Sequence, residues 1–316
     1  MAMPLVKTKN LKKYFKTGAG MLHAVEDVNL KIMPGKTLGV VGESGCGKST
    51  LGRTILRLQP ATSGEVLYNG ENILKYKGKD MQKIHLNMQM VFQDPYSSLD
   101  PRMSVHNLIA EPVQVCGLLK TKAEINEHVR EIMDMCGLPA DQANLFPHEL
   151  DGGLRQRVGL ARAMAVSPKF IVCDEPVSAL DVSIQAQILN LLMDLQEQRE
   201  LSYMFITHDL CVVKHISDEI MVMYMGQVVE HAKTAELFAN PVHPYTKALL
   251  HAVPTIDLSK RNREGFMLRG EVTSPINPAP GCRFAPRCPY ATDKCKENVC
   301  LKEVSPDHFV ACSLCD

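Results

Sequence analysis

An α/β fold organised around a phosphate-binding loop is what this sequence predicts, and three local patterns carry that prediction. Residues 38–41 (LGVV) form a short apolar run of the kind found in buried parallel strands. They lead directly into Gly42-Glu43-Ser44-Gly45-Cys46-Gly47-Lys48-Ser49-Thr50 and then into LGRTILRL at helical spacing. A second such run, residues 169–173 (KFIVC), ends in Asp174-Glu175, and a third, residues 202–207 (SYMFIT), follows helical periodicity over 184–200. Apolar runs alternating with helical stretches are the mark of parallel-sheet architectures.

The remaining elements follow in order. Residues 22–34 (LHAVEDVNLKIMP) alternate apolar and polar and end in a Pro34-Gly35 turn, as a strand of an antiparallel sheet would. Residues 64–70 (GEVLYNG) read as an edge strand. Residues 103–155 favour helix, most clearly 122–136, and residues 222–230 read as one strand late in the core. From Asn240 the composition turns proline-rich, with Pro241, Pro244, Pro254, Pro275, Pro278, Pro280, Pro286 and Pro289 in close succession. This places a domain boundary there: 1–239, with a helical subdomain over about 96–160, and an appendage over 240–316.

Composition narrows the function. The chain has 316 residues, with 35 Lys+Arg against 35 Asp+Glu, and 45% of it is apolar. That is enough for a large core, and the charge balance lacks the basic excess of a nucleic-acid binder. The longest apolar stretch, residues 220–229, is too short to span a membrane and contains Gly226 and Gln227. No secretory signal is visible, so a cytoplasmic location is expected.

The chemistry starts from Gly42-x4-Gly47-Lys48-Ser49, a Walker A pattern between a strand and a helix. Its glycines let backbone N–H groups curl round phosphates, Lys48 reaches the terminal oxygens, and Ser49 can ligate magnesium. Asp174-Glu175 fits Walker B: Asp174 for magnesium, Glu175 to polarise the attacking water. Between them lies Leu150-Asp151-Gly152-Gly153-Leu154-Arg155-Gln156-Arg157, which resembles the signature of the ABC ATPase family. Gln93 in VFQDPYSSLDPR is similar to the family's Q-loop, Ser178-Ala179-Leu180-Asp181 to its D-loop, and His208 in ITHD to its H-loop. The resemblance spans residues 5–235 and implies an ABC cassette: a RecA-like core, an antiparallel β subdomain and a helical subdomain. It also implies a head-to-tail dimer, each ATP lying between one subunit's Walker A and the other's signature. Glu175 is then the general base, His208 a γ-phosphate contact, Gln93 the link between magnesium and the transport partner, and Phe15 the adenine platform, with Tyr14 as the fallback.

The signature departs from the family pattern. Asp151 stands where serine is usual and Leu154 where glutamine is usual. A carboxylate there sets negative charge against the partner's ATP; the alternative is that Asp151 turns away and caps the following helix. The first reading predicts a heterodimer with one competent and one degenerate site, the degenerate one built on the partner's Walker A.

Residues 240–254 (NPVHPYTKALLHAVP) resemble the segment after the cassette in dipeptide, oligopeptide and nickel permease ATPases, in particular the subunit type labelled F. Six of the eleven cysteines crowd into the last 35 residues. Cys282, Cys288, Cys295 and Cys312 supply four thiolates, suited to [4Fe–4S] or zinc, and the family resemblance favours [4Fe–4S]. Cys300 and Cys315 look supernumerary. The whole implies an ATPase subunit of a binding-protein-dependent importer, for di- or oligopeptides ahead of nickel chelates. Its partners would be a second ABC ATPase, two permease subunits and, indirectly, a substrate-binding protein, with the chain peripheral on the cytoplasmic face of the membrane. The competing class is a permease-free ABC ATPase of repair, translation or phosphonate processing; the absence of a tandem cassette, a long insertion or a basic excess weighs against it.

Overall fold

A computed structural model describes residues 3–178, 180–252, 274–297 and 299–315. Ala179 of the D-loop stretch and Pro254 of the tail lie outside the described residues. The chain begins with β1 (Val6–Thr17), β2 (Gly20–Val28), β3 (Lys31–Ile32), β4 (Thr37–Val41), α1 (Lys48–Ile55), β5 (Ser63–Tyr68) and β6 (Glu71–Asn72). Then come α2 (Gly78–Asn87), β7 (Met88–Val91), α3 (Pro95–Ser98), α4 (Val105–Val115), α5 (Lys122–Met135) and α6 (Gly152–Met164). Next are β8 (Phe170–Asp174), α7 (Val182–Arg199), β9 (Ser202–Ile206), α8 (Leu210–Ile216), β10 (Glu219–Tyr224), β11 (Gln227–Lys233), α9 (Thr234–Ala239) and α10 (Pro244–His251). The chain closes with β12 (Lys302–Ser305) and β13 (His308–Val310).

Two compact units form, one from residues 1–32, 37–74 and 205–316, the other from 33–36 and 75–204. In the first, β2, β1, β5 and β6 make an antiparallel sheet with β3 paired to β1. A second run of strands orders as β12-β13-β11-β10-β4, with β4 parallel to β10. All five residues of β4 are buried, which is why its sequence is apolar throughout rather than alternating. The second unit holds the parallel pair β7 and β8, β8 likewise buried along its length, together with the helices of residues 95–164. Sequence signals start those helices: Thr121 and Glu124 form a capping box on α5, and Ser104 caps α4.

Three strand expectations change. Residues 222–230 are not one strand but the end of β10 and the start of β11, joined at Met225 and Gly226. Their left-handed φ values, 47° and 83°, form a tight reversal hidden inside an apolar run. Residues 22–34 break after Val28, where Asp27 sits at φ 48° and the Asn29 side chain donates to the Asp27 carbonyl. β5 is not an edge strand, because the Asn69-Gly70 turn folds β6 back onto it.

Residues of the tail are stitched into the first unit. β13 pairs with β11, and Ile276 bridges to Leu22 of β2. Tyr245 and Phe284 enter a core with Val41, Val222 and Tyr224. Ring centroids lie 4.8 Å apart for Tyr224–Tyr245 and 5.3 Å for Tyr224–Phe284, both edge-to-face, the arrangement favoured by ring quadrupoles. Buried Glu230 ties two further segments to β11: it accepts from the N–H groups of Val242 and His243, and its Oε1 lies 2.7 Å from His308 Nε2.

Candidate functional site

In the first unit, the loop after β4 turns into α1 with left-handed glycines. Gly47 has φ 105°, and a Cβ there would fall 2.0 Å from the Ala24 carbonyl oxygen. No other residue fits without moving that backbone. Lys48 is 4% exposed, and its Nζ donates to the carbonyls of Gly42 (2.7 Å) and Glu43 (3.0 Å). Ser44 and Gly45 are exposed, and Ser49 and Thr50 are half-buried at the start of α1. The backbone thus wraps a lysine ammonium at a helix start, a cradle for phosphate. Cys46 is buried with Sγ 3.8 Å from Lys48 Nζ; burial pushes its thiol up, so it stays protonated beside the loop.

Tyr14 and Phe15 differ. Tyr14 stacks on His23 at 4.0 Å and its Oη donates to Glu26. Burial, then that hydrogen bond, pushes its phenol up to about 12. Burial would raise Glu26, but hydrogen bonds from Tyr14, His23 and Lys12 outweigh it and hold the carboxyl down at about 2. Tyr14 is therefore committed to an internal network. Phe15 is half-buried with Lys13 Nζ 4.6 Å from its ring centroid. His208 follows β9 and is exposed, beside Asp209, whose side chain caps α8.

In the second unit, Asp174 ends β8 with no exposure. Glu175 follows at φ 46°, a left-handed conformation costly for a side chain of its size and concentrated at functional positions. Gln93 Nε2 donates to Glu175 Oε2 at 3.0 Å, so the predicted Q-loop residue and the predicted base meet. Asp151 takes the capping alternative: it is the N-cap of α6, and its Oδ1 accepts from Leu154 N–H at 2.8 Å. Gly152 and Gly153 form the first turn; a Cβ on Gly153 would lie 2.7 Å from Ile184 Cγ2. Asp181 stands at the N-cap of α7 but makes no capping hydrogen bond. Arg155 and Arg162 of α6 were not expected to matter. Arg155 sits 5.3 Å from the Tyr96 ring and Arg162 donates to the Ser98 carbonyl, so α6 grips the segment after Gln93.

The four tail thiols gather without forming a ligand shell. Burial pushes Cys282 up to about 11 and also raises Cys288, with Cys295 and Cys312 adding to both shifts. Burial would raise Cys295 too, but hydrogen bonds with Ser313 and Thr292 together outweigh it and lower the thiol. Among the described residues no three His, Cys, Asp or Glu side chains are spaced to hold a metal ion, so the expected [4Fe–4S] or zinc centre has no formed site here. Cys295 Sγ instead lies 3.2 Å from Ser313 Oγ. The donors expected around magnesium are different: Ser49, Gln93 and Asp174 are oxygen donors with a single carboxylate, a set that suits a cation completed by phosphates and water.

Comparison with known proteins agrees with this reading. Residues 25–178 match the ABC transporter family profile, and residues 229–295 match the C-terminal region of oligopeptide/dipeptide transporters. The chain therefore belongs to the ABC transporter family, in the branch of the peptide-transporter ATP-binding proteins. It is 47% identical to the oligopeptide transport ATP-binding protein AppF of Bacillus subtilis, over 98% of this chain and 97% of that protein. OppF of the same organism is 48% identical over 99% and 97%. A putative peptide import ATP-binding protein of Brucella ovis is 45% identical over 98% and 97%. Among solved structures, the ATP-binding cassette MJ0796, dimeric and bound to ADP and Pi, superposes with a TM-score of 0.67 at 31% identity, covering 72% of this chain and 98% of that one.

Proposed function

We propose that this chain is the ATP-hydrolysing subunit of an importer of di- and oligopeptides, acting from the cytoplasmic face of the membrane. The observation that carries the catalytic part is the 3.0 Å hydrogen bond from Gln93 to Glu175, which holds the base at the end of β8. Glu175 takes the proton of the attacking water, Lys48 and the loop amides bear the phosphate charge, and His208 contacts the γ-phosphate. Phe15 is the adenine platform. Ser49, Gln93 and Asp174 would hold magnesium, which neutralises phosphate charge when bound. Gly152, Gly153 and Asp181 serve the ATP of an opposing subunit. The near full-length similarity to peptide-transport ATP-binding proteins supports the cargo class and the partners: a second ATPase, a permease pair and a binding protein. No described helix is long and apolar enough to cross a membrane, in keeping with a peripheral subunit held by such a pair.

Three finer readings belong to the same proposal. The cassette covers 1–239, with a helical subdomain over about 96–160, and the appendage 240–316; the transporter C-terminal region matches 229–295 and so takes in most of that appendage together with the end of β11. The ATPase dimer is a heterodimer with one degenerate site, because even a capping Asp151 leaves an exposed negative charge at the signature. A metal centre in the tail, [4Fe–4S] ahead of zinc, would need Cys282, Cys288, Cys295 and Cys312 to close further on the metal than they do here; four thiolates within one short segment support it. Anaerobic purification of the tagged chain from native membranes tests the main reading and the centre together. Co-purification of a permease pair and a second ATPase, with ATPase stimulated by peptide-loaded binding protein, is the expected result. Recovery without membrane partners would favour the permease-free class, and absence of iron, acid-labile sulfide and zinc would remove the centre. Asp151→Ser in the assembled complex should raise its ATPase; no change would remove the degenerate site.

A further inference from the structure

Glu43 is the second residue of the phosphate loop, and all its polar groups are engaged. Its N–H donates to Tyr245 Oη at 2.9 Å, across 202 residues of chain. Its carboxylate accepts from Arg287 Nη1 at 2.9 and 3.1 Å, across 244. Its carbonyl accepts from Lys48 Nζ. Arg287 is 8% exposed and also donates to Tyr224 Oη. Burial works against its charge, and the hydrogen bonds to Glu43 and Tyr224 outweigh that. A second tail arginine, Arg283, donates to the carbonyls of His23 and Met225 and to the Glu26 carboxylate. These carbonyls flank the loop itself, since Gly226 N–H donates to the Cys46 carbonyl and Gly47 abuts Ala24.

We propose that the tail is a brace on the phosphate loop, and that Arg287 and Tyr245 are positioning residues for ATP, acting through Glu43 and Lys48. The inference rests on the reading of residues 42–50 as the ATP cradle. Two physical effects support it. A glycine-rich loop loses much conformational entropy when it closes on phosphate, and contacts that order it beforehand reduce that loss. Glu43 also places a negative charge on a loop that binds an anion, and the buried Arg287 neutralises it at close range.

The experiment titrates the full-length chain with magnesium ATP and measures KM and kcat in the assembled transporter. Arg287→Met should weaken ATP binding about tenfold, equivalent to about 1.4 kcal/mol, and raise KM with kcat nearly unchanged. Adding Glu43→Gln to Arg287→Met should recover most of the loss, because the uncompensated carboxylate is gone. Tyr245→Phe, which keeps the ring packing, should weaken binding about threefold, or about 0.7 kcal/mol. Unchanged affinity in Arg287→Met and Tyr245→Phe, or a fall in kcat at constant KM, overturns the brace. Lys48→Ala separates the two readings: if it too leaves ATP binding intact, the cradle assignment has failed rather than the brace.

Discussion

The loop over residues 42–50 and the loop over residues 150–154 both present glycines at the start of a helix, yet they are held in different ways. The first draws its partners from the far end of the chain, with Glu43 tied to Tyr245 and Arg287. The second is held from within, with Asp151 accepting from Leu154 three residues on. A loop held locally keeps its shape wherever its helix forms. A loop held by remote side chains has a geometry that depends on the packing of another segment, and so can be weakened from a distance.

The largest expected effect sharpens this contrast by removing chemistry without touching either loop. Glu175→Gln should slow hydrolysis by roughly 10²- to 10⁴-fold, the range for a lost general base, with ATP binding retained. Steady-state phosphate release and a separate ATP titration check both halves. Next is Gly47→Ala, whose Cβ would lie 2.0 Å from the Ala24 carbonyl at φ 105°. We expect it to abolish ATP binding and to lower stability by about 3 kcal/mol, read from denaturant unfolding. The matching change in the other loop, Gly153→Ala, sets a Cβ 2.7 Å from Ile184 Cγ2 and 3.4 Å from Asp151 Oδ1, side-chain rather than backbone atoms and at no left-handed φ, and should cost about 1 to 2 kcal/mol, less than Gly47→Ala. Similar losses in both would break the comparison.

Acid should loosen the remote tether. Burial holds His243 down at about 3, so the folded protein keeps it neutral where an unfolded chain, with its usual value near 6.5, takes a proton. Stability is therefore complete above that value and declines as the pH falls toward 3. The slope of about 1.4 kcal/mol per pH unit gives about 2 kcal/mol lost between pH 6.5 and 5. His243 Nδ1 accepts from Tyr245 N–H at the start of α10, so the loss falls on the segment that carries Tyr245. His243→Asn keeps a capping acceptor and should flatten the dependence of the unfolding midpoint on pH; an unchanged slope would exclude His243 as its source. The smallest effect concerns Asp151→Ala, which removes the cap of α6 and should cost about 1 kcal/mol, with Asp151→Ser close to the parent in thermal unfolding.

Much of the site was legible because its residues act in contiguous stretches. Gly42 to Thr50, Asp174-Glu175 and Gln93 are each identified by neighbours a few positions away, and β4 and β8 by unbroken apolarity. The hairpin at Met225-Gly226 leaves no sequence signal because its turn residues sit inside an apolar run. Arg155 and Arg162 were visible as charges on α6, but nothing local shows that they reach Tyr96 and Ser98. The choice at Asp151 was also open, since a carboxylate before two glycines suits a helix cap as well as it opposes a phosphate.

The sequence by itself determined the cassette and the order of its motifs, because those depend on residue types at short fixed spacings. It also marked the proline- and cysteine-rich tail as a distinct stretch. Only the tertiary structure decided how that stretch is used: it packs Tyr245 and Phe284 into the core beside Tyr224, adds β13 to β11, and sets the buried Arg287 and the half-buried Arg283 against residues 42–47 and their flanks. An arginine gains meaning from the carboxylate it meets, and a partner 244 residues away leaves no local pattern by which that meeting could be read.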